Sequence, residues 1–407
     1  MNSINTTKLS IKQAVKQATK HVMSAIAAGW VLSGTYAQAA GTCSYTQWVS
    51  IPSGNRTAHV IAVDLNKDGK PDIVGSNQGG MSTDKGTITV VLNKGKGQFA
   101  PPVQYTLGNA GPYETTAADY NGDGYPDLAV ELFGTSDRTI VGNEIDVFIN
   151  KGDGTFKPFV AYASGQKPRA VVSGDMNGDG KQDLIVANSI NNSVGVLLGK
   201  GDGTFGPRKD FPAGGNTHGV VVADFNKDGR LDAALANNAG NGGANVLLGK
   251  GDGTFADTIQ YEAGTGTFSI DAGDFNGDGY PDIVTANERA KSLSVLINTG
   301  KGTFNKPVDY PASGKQGGAL SVTVGDLNKD GKLDLISSVS NIRAETEGGY
   351  TDILFGNGDG TFQAPLNVAT GSGTYDAAVA DFDGDGSMDF VSAVSTGSVV
   401  VMKGACK

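Results

Sequence analysis

The residues best suited to chemistry in this chain are aspartates that recur in a nine-residue pattern. Seven copies begin at Asp64, Asp119, Asp175, Asp224, Asp274, Asp326 and Asp381, at intervals of 55, 56, 49, 50, 52 and 55 residues. Each copy has Asp at positions 1, 5 and 9, Asn or Asp at position 3 and Gly at position 6. Hard cations such as Ca²⁺ take six to eight oxygen ligands, which alternate side chains of such a loop can supply. The pattern therefore predicts a divalent cation in each loop.

The predicted ligands are the side chains at positions 1, 3, 5 and 9 and the backbone carbonyl at position 7. In chain order these residues are Asp64, Asn66, Asp68, Lys70 and Asp72; Asp119, Asn121, Asp123, Tyr125 and Asp127; Asp175, Asn177, Asp179, Lys181 and Asp183; Asp224, Asn226, Asp228, Arg230 and Asp232; Asp274, Asn276, Asp278, Tyr280 and Asp282; Asp326, Asn328, Asp330, Lys332 and Asp334; Asp381, Asp383, Asp385, Ser387 and Asp389. We call these seven segments the metal loops.

The metal loops copy the first nine positions of an EF-hand loop, but position 12 is never Glu and the flanks are strand-like. Carboxylates gathered so closely would repel one another if the loops were empty. We therefore expect up to seven calcium ions with a structural role. The alternative is an Asp/Asn/Gly-rich turn whose side chains cap backbone amides.

Short strands must position the metal loops. Around the fourth loop, apolar runs lie at Val220–Ala223, Ala233–Ala236, Asn245–Leu248 and Phe255–Tyr261. A period near 50 residues with four short apolar runs per unit is typical of a β-propeller blade. The sequence therefore predicts an all-β, seven-bladed β-propeller with calcium-binding β-hairpin loops, occupying residues 40–407 as one domain.

The two ends of the repeat region indicate how the ring closes. The last unit stops partway, and Gly41, Thr42 and Cys43 match the Gly-Thr-Phe that would come next, so Tyr45–Ile51 would supply its outer strand. N- and C-terminal strands then share one blade, which removes free sheet edges. The only cysteines, Cys43 and Cys406, lie at this closure and predict a disulfide in an exported protein. Lipid attachment at Cys43 is the alternative, although the preceding residues form a poor lipobox.

A glycine-rich turn that ends in Phe recurs in six units. These residues are Phe99, Phe156, Phe205, Phe255, Phe304 and Phe362. Because they repeat at one place in each unit, we assign them to the core. A set of rings that stacks on a ligand is the alternative.

The first residues differ from all that follow. Lysines between Lys8 and Lys20 precede an apolar stretch from Val22 to Leu32, and Ala37–Ala39 offers a small-any-small cleavage pattern. We predict an export signal over residues 1–39, cleaved near Ala39, and a secreted or extracytoplasmic location in the periplasm or at the cell surface. A retained amphipathic helix is the alternative. No apolar run of about 20 residues follows, so we expect no transmembrane span.

The formal charge of −10 has a local source, because the metal loops hold 22 of the 42 acidic residues. No basic face is left to neutralise phosphates, so the composition argues against nucleic acid as a partner. It favours bound cations.

Variation between the units points to a ligand-binding face. The residue six positions before each metal loop is Ala58, Tyr113, Arg169, His218, Phe268, Leu320 or Tyr375 in turn. We expect these rim residues to lie near the central channel, and Tyr113, Arg169, His218, Phe268 and Tyr375 are the candidate ligand contacts. Longer turns at 76–85, 133–143 and 341–350 should lie on the same face. Alternatively, the rim residues plug the channel mouth or face solvent.

For catalysis the sequence offers little. After signal cleavage only His59 and His218 remain as histidines, and we find no Ser/His/Asp grouping and no phosphate loop. We therefore predict no catalytic residue.

With its loops, period and closure, the chain resembles FG-GAP and VCBS repeats over Cys43 to Cys406. It is similar to the calcium-binding hairpins of integrin α-subunit propellers and to a seven-bladed fungal lectin from Psathyrella. It lacks a consistent Phe-Gly and Gly-Ala-Pro pairing, although Phe205–Pro207 comes near. The resemblance implies a binding scaffold.

From these observations we expect a monomeric, non-catalytic binding or adhesion module for a carbohydrate or a protein. One alternative is a secreted polysaccharide-active enzyme, similar to a lyase or a hydrolase, and another is a purely structural or assembly part of an envelope complex.

Overall fold

The structure, a computed structural model, describes residues 43–79, 85–108, 110–134, 141–312, 317–340 and 348–406. Its strands are β1 (Ser44–Pro52), β2 (Thr57–Val63), β3 (Asp72–Asn77), β4 (Thr87–Val91), β5 (Asn93–Gly95), β6 (Gln98–Phe99), β7 (Val103–Thr106), β8 (Gly111–Ala118), β9 (Asp127–Gly134), β10 (Val141–Phe148), β11 (Val160–Ala163), β12 (Pro168–Gly174), β13 (Asp183–Asn188), β14 (Ser193–Leu197), β15 (Lys209–Pro212), β16 (Thr217–Ala223), β17 (Asp232–Asn237), β18 (Gly243–Leu247), β19 (Ile259–Tyr261), β20 (Thr267–Gly273), β21 (Asp282–Asn287), β22 (Ser292–Leu296), β23 (Val308–Pro311), β24 (Gly318–Gly325), β25 (Asp334–Ser340), β26 (Gly348–Leu354), β27 (Leu366–Ser372), β28 (Thr374–Ala380), β29 (Asp389–Val394) and β30 (Ser398–Ala405).

Twenty-eight of these strands build seven four-stranded antiparallel sheets, the blades of a propeller, and β5 and β6 form a separate two-stranded sheet. From the inner to the outer strand, blades 1 to 7 are β2-β3-β4-β7, β8-β9-β10-β11, β12-β13-β14-β15, β16-β17-β18-β19, β20-β21-β22-β23, β24-β25-β26-β27 and β28-β29-β30-β1. The seven inner strands contact one another in a closed circle, from β2 through β8 and onward to β28 and back to β2. The predicted all-β, seven-bladed fold is confirmed.

The metal loops join the first two strands of every blade. Each inner strand ends at the residue before a loop, and each second strand begins at the loop's ninth residue, as Asp183 begins β13. All six residues of β13 are buried. Both faces of such a strand pack against neighbouring blades, so the apolar run that the sequence shows is continuous rather than alternating.

The hydrophobic core consists of seven clusters, each shared by two adjacent blades. The Phe of each glycine-rich turn packs into the cluster shared with the preceding blade, as Phe255 of blade 4 packs against blade 3. The assignment of these Phe residues to the core is confirmed. No blade can bury its apolar surface alone, so the blades are stable only as a ring.

Ring closure by the two chain ends is confirmed. Strand β1 pairs with β30 along its length, from Ser44 opposite Ala405 to Pro52 opposite Ser398. Cys43 and Cys406 form a disulfide with their Cα atoms 4.0 Å apart. Such a disulfide belongs to an oxidising compartment and is consistent with an extracellular protein.

One detail of the closure differs from the sequence prediction. Tyr45, not Cys43, takes the place of the turn Phe in blade 7: it pairs with Gly404 just as Phe255 pairs with Gly249. Its ring packs against Phe390 with the ring centroids 5.3 Å apart. The match of Gly-Thr-Cys to Gly-Thr-Phe was therefore two residues out of register.

Within the described part of the chain, no helix has the length and hydropathy that a membrane crossing requires. The predicted signal at residues 1–39 lies outside the described residues, as do 80–84, 135–140 and 341–347 of the three longer turns.

Candidate functional site

The seven metal loops share one set of backbone hydrogen bonds. In every loop the amide of Gly at position 6 donates to the carboxylate at position 1. The amide at position 5 donates to the side chain at position 3. The amide at position 7 donates to the carboxylate at position 5. These bonds fold the loop so that the oxygens of positions 1, 3 and 5 lie on its inner side.

The aspartate at position 9 is a structural residue in every blade. One of its oxygens accepts the amide of position 2, and the other accepts an amide at the start of the glycine-rich turn, as Asp232 accepts Phe225 N and Gly249 N at 2.9 and 2.7 Å. All seven of these carboxyls are buried. A carboxylate oxygen has more than one lone-pair direction, so these contacts still leave room for a cation.

Burial raises the pKa of the carboxyl at position 9 in all seven loops, against the opposing effect of its backbone hydrogen bonds. The values are about 7 for Asp72 and Asp232, about 6 for Asp127, Asp183, Asp282 and Asp334, and about 8 for Asp389. The carboxylates at positions 1 and 5 of the same loop add to the rise in six loops, and Asp381 and Asp383 do so for Asp389. A cation in the loop would favour the ionised form of this group.

The donor set fits a hard cation. Six loops offer two carboxylates at positions 1 and 5 and one amide side chain at position 3, and in the seventh, oxygens of Asp381, Asp383 and Asp385 lie within 4.8 Å of one another. Among the described residues this is the only group of three acidic, His or Cys side chains that lie so close together. Asp, Asn and backbone carbonyl oxygens are the ligands that calcium prefers. Positions 1, 3, 5, 7 and 9 are therefore the residues that would hold it.

Each metal loop is also tied to the blade that follows it. The side chain at position 2 is buried in the shared core, and Phe275 packs 5.4 Å from Phe362 of the next blade. Its carbonyl accepts an amide of the next glycine-rich turn, at 2.9 Å from Gly360 N. A cation that orders one loop therefore also stabilises an interface between blades.

At the opposite end of the inner strands, the rim residues share a backbone feature. In every inner strand the pairing with the second strand is irregular at the rim residue. In blade 5, for example, Thr267 pairs with Asn287 and Ser269 pairs with Ala286. Phe268 between them has no partner residue on the second strand. Such a β-bulge re-aims a side chain and is frequent next to functional sites.

Four of the predicted ligand contacts meet at the rim, across blades 2 to 5. The Arg169 guanidinium lies 5.5 Å from the Phe268 ring and 5.8 Å from the Tyr113 ring. It lies 4.5 Å from the ring of Phe133, which begins one of the longer turns. The His218 ring lies 4.5 Å from that of Phe268. We call these five residues the rim cluster.

A lysine lies beside the rim cluster, and His218 is a buried member of the cluster. The Lys167 ammonium lies 4.9 Å from the Phe133 ring. His218 is 4% exposed, and its Nδ1 has no hydrogen-bond partner. Burial lowers the pKa of His218 well below its ordinary value, and the charges of Arg169, Lys167 and Arg289 lower it further. The imidazole of His218 is therefore kept neutral, chiefly by burial.

The remaining rim residues lie apart from this cluster or at its border. Ala58 and Leu320 are buried. Tyr375 is half-buried on β28 and lies near Tyr113. Burial raises the pKa of the Tyr113 phenol, and Tyr375 adds to that rise. The charge of Arg169 opposes it.

Sequence reasoning missed a set of polar residues one position further along the inner strands. The His59 Nε2 lies 3.4 Å from Asp376 Oδ2 and 3.9 Å from Glu114 Oε1. These side chains accept amides of the next inner strand, as Asp376 accepts Val60 N at 3.2 Å and His59 accepts Thr115 N at 3.3 Å. Because an inner strand is a sheet edge, these contacts satisfy amides that would otherwise be unpaired.

Glu131 on β9 is the most deeply buried of these acids. It is 0% exposed, its Oε1 accepts Glu114 N at 3.0 Å, and its Oε2 has no hydrogen-bond partner. Burial raises the pKa of Glu131 well above its ordinary value, and burial, with Glu131 and Asp376 nearby, does the same for Glu114. An acidic residue inside the apolar run of β9 was the sequence signal for this group.

The comparison with protein families decides the affiliation of the chain. The family described as FG-GAP-like repeat matches residues 80–130, 131–186, 175–235, 233–285, 274–337 and 342–392, and the FG-GAP repeat matches residues 58–91. The chain belongs to the FG-GAP repeat family. No curated protein matches it in sequence. An FG-GAP propeller is the scaffold of a binding or adhesion-type module in general.

Proposed function

We propose that this FG-GAP propeller is an exported, calcium-stabilised and non-catalytic binding module whose ligand face is the rim cluster. Its ligand is a carbohydrate that carries an acidic group. The observation that carries the proposal is the Arg169 guanidinium of blade 3, which lies 4.5 to 5.8 Å from three aromatic rings, two from blade 2 and one from blade 5.

The rim cluster has the chemistry of a sugar-binding surface. Binding sites for small ligands are lined mainly by apolar and aromatic side chains with a few polar groups that fix orientation. The rings of Tyr113, Phe133 and Phe268 can stack against the C–H face of a pyranose. A guanidinium can bind a carboxylate through two parallel hydrogen bonds while its flat face stays on an aromatic ring.

The charges around His218 favour an acidic sugar over a neutral one. Arg169, Lys167 and Arg289 all contribute to the low pKa of the imidazole, so they raise the electrostatic potential at this place. His218 is buried and its Nδ1 lacks a partner, so a ligand hydroxyl or carboxylate there would satisfy it. The loop charge of the protein lies at the other end of the inner strands.

Calcium has a supporting role in this proposal. When bound, it would supply positive charge to carboxylates that otherwise repel one another. The side chains at positions 1, 3, 5 and 9 of the metal loops would hold it, and each loop contacts the next blade through its position 2 residue. Ordering the loops therefore stabilises the ring that brings blades 2 to 5 together.

The test is a glycan array with neutral and carboxylated oligosaccharides, probed with the mature protein and with its Arg169→Met variant. We expect binding to carboxylated glycans, weakened at least tenfold by Arg169→Met. Arg208→Met is the matched control: it removes one guanidinium that pairs at 2.8 Å with Asp210 on an outer strand. It should bind like the unaltered protein.

Three outcomes would contradict the proposal. Equal binding to neutral and carboxylated glycans would show that the ligand needs no acidic group. Equal loss of glycan binding in both arginine variants would show that the rim cluster is not the binding site. Binding to a protein partner alone, retained in Arg169→Met, would assign the ligand face elsewhere.

A secreted polysaccharide-active enzyme is the second candidate, favoured by the acidic residues Glu114, Glu131 and Asp376 near the rim. Carboxyls whose pKa values are raised by burial, beside a carboxylate and an imidazole, are the groups that general acid-base catalysis uses. Glu114 and Glu131 have raised pKa values, and His59 lies between Glu114 and Asp376. The backbone amides that Glu131 and Asp376 already accept favour a structural role instead.

Product formation separates the two candidates. The protein is incubated with acidic polysaccharides, and reducing ends and unsaturated sugars are measured. Turnover that is abolished by Glu131→Gln, with the melting temperature retained, would establish the enzyme. No turnover on any glycan that the array shows to bind would exclude it for those ligands.

A further inference from the structure

The seventh metal loop differs from the other six in its charge. Asp383 stands at position 3, where every other loop has Asn. This extra carboxylate brings three acidic side chains together in one loop, Asp381, Asp383 and Asp385. The loop also contains Ser387 at position 7, where four of the others have Lys or Arg.

A lysine from β30 reaches into this acidic group. The Nζ atom of Lys403 donates to the side chains of both Asp383 and Asp385. The side chain of Lys403 is 18% exposed and that of Asp383 7% exposed. The ammonium therefore bridges two of the carboxylates that would hold a cation at positions 3 and 5.

No other blade places a basic residue at this position. In every blade one backbone amide near the end of the third strand donates to the carboxylate at position 9, such as that of Gly249 in blade 4 and Gly404 in blade 7. The residue equivalent to Lys403 is the one just before that amide, such as Leu248 in blade 4. In blades 1 to 6 these residues are Leu92, Ile149, Leu198, Leu248, Ile297 and Phe355. They pack into the core shared with the following blade. Lys403 turns to its own loop instead.

Basic residues near the other loops have a different arrangement. Lys70, Lys181, Arg230 and Lys332 at position 7 each pair with the position 5 carboxylate alone, and their side chains are 35 to 52% exposed. Exposed ion pairs of this kind contribute little and are easily exchanged. Lys403 makes two charge-assisted hydrogen bonds in a partly buried place, and such bonds are about twice as strong as neutral ones.

We propose that Lys403 is a built-in cation that excludes calcium from the seventh metal loop, so that the propeller binds six calcium ions and not seven. A divalent ion and the ammonium compete for the same oxygens of Asp383 and Asp385. The extra negative charge of Asp383 is matched by the extra positive charge of Lys403. The blade that carries both chain ends is thus held by its own residues. This inference rests on the proposed occupancy of the other loops by calcium.

The test is the number of bound ions, measured by native mass spectrometry of the mature protein in saturating calcium. We expect six ions for the unaltered protein and seven for Lys403→Leu, which restores the apolar residue of blades 1, 3 and 4. Lys250→Leu, which removes an exposed lysine of the blade 4 turn, is the matched control and should retain six ions.

Anomalous scattering from crystals grown in calcium provides a second measurement that needs no variant. Peaks in six loops with none at Asp381–Asp389 support the proposal. A seventh peak there, or seven ions in the unaltered protein, overturns it. Six ions in both the unaltered protein and Lys403→Leu overturns the role of Lys403. No ions in either protein overturns this inference together with the calcium assignment, whereas the other contrary results leave that assignment intact.

Discussion

The two ends of each inner strand follow different rules. At the end where the metal loop begins, all seven blades repeat the aspartates at positions 1, 5 and 9 and the same backbone hydrogen bonds. At the other end, all seven blades repeat the β-bulge, but the rim residue ranges from Ala58 to Arg169 and Phe268. One end preserves chemistry and the other preserves only backbone shape.

This difference separates stability from recognition along a single strand. Repeated side chains at the loop end fit a demand that is the same in every blade, which is to join one blade to the next. A repeated bulge with different side chains presents a ring of positions in one geometry, where each blade can offer a different group. The two ends can be changed one at a time, and changes at the loop end should have the larger effects on stability.

Removing calcium should act on the loop end and have the largest effect. Each loop gains about 1.4 kcal/mol when the free ion is at ten times its Kd. Six loops would then contribute about 8 kcal/mol, which corresponds to roughly 10 °C in the melting temperature of a domain of this size. Calorimetry in millimolar calcium and in excess EDTA measures the difference. An unchanged melting temperature would show that the loops are ordinary turns.

The pH dependence of the calcium-free protein should have an unusual sign. The carboxyls at position 9 have pKa values of about 6 to 8 when folded, against an ordinary value of about 3.9. The folded state therefore binds more protons, and these groups favour folding at low pH and lose that effect as pH rises through about 6 to 8. His59 and His218, whose pKa values burial lowers, act in the opposite direction but are fewer.

Thermal unfolding in EDTA at pH 5, 6.5 and 8 tests this sign. We expect the melting temperature to fall as pH rises. Calcium should reduce or reverse the fall, because an ion in the loop would favour the ionised carboxylates. A melting temperature that rises with pH in EDTA would contradict the raised pKa values.

Changing one carboxyl at position 9 should have an intermediate effect. In Asp232→Asn, one oxygen is replaced by an amide nitrogen, so either Phe225 N or Gly249 N loses its buried acceptor. The expected cost is about 1 to 3 kcal/mol in the free energy of unfolding. Asp252→Asn is the control, because Asp252 is in an exposed turn and accepts only Thr254. Equal effects of the two changes in chemical denaturation would contradict the structural role of position 9.

Changing the rim should have the smallest effect on stability. Arg169→Met keeps the aliphatic part of the side chain that packs among the rings, so we expect a melting temperature within about 1 °C of the unaltered protein. Binding of acidic glycans should nevertheless be lost. A large drop in melting temperature would show that the rim cluster is a structural plug of the channel mouth.

The sequence was sufficient for the repeat, the strand order and the closure, because each depends on local periodicity. It placed the outer strand of blade 7 correctly, but it matched Cys43 to the turn Phe because a short motif cannot fix the register of a strand. The register is shown by the pairing of Tyr45 with Gly404. The rim residues lie six positions before each metal loop, and the structure has a β-bulge at this position in every inner strand.

The group of His59, Glu114 and Asp376 could not be found in the same way. His59, Glu114 and Asp376 come from three different blades, and only ring closure brings them together. Their common position, one residue after the bulge, shows no repeated residue type, because Ala170 and Gly219 occupy it in blades 3 and 4. The ion pairing of Lys403 likewise depends on how β30 lies beside its own loop.

The site of the disulfide has a mechanical consequence. Strands β1 and β30 are antiparallel, and the chain enters and leaves the ring at the same end of this pair, at Ser44 and Ala405. Tension on the two termini would peel the pair apart one rung at a time, which is the weakest way to load a β-ladder. The Cys43–Cys406 bond lies at the first rung and carries such a load before any rung does. A protein pulled by its two ends would therefore keep its ring intact.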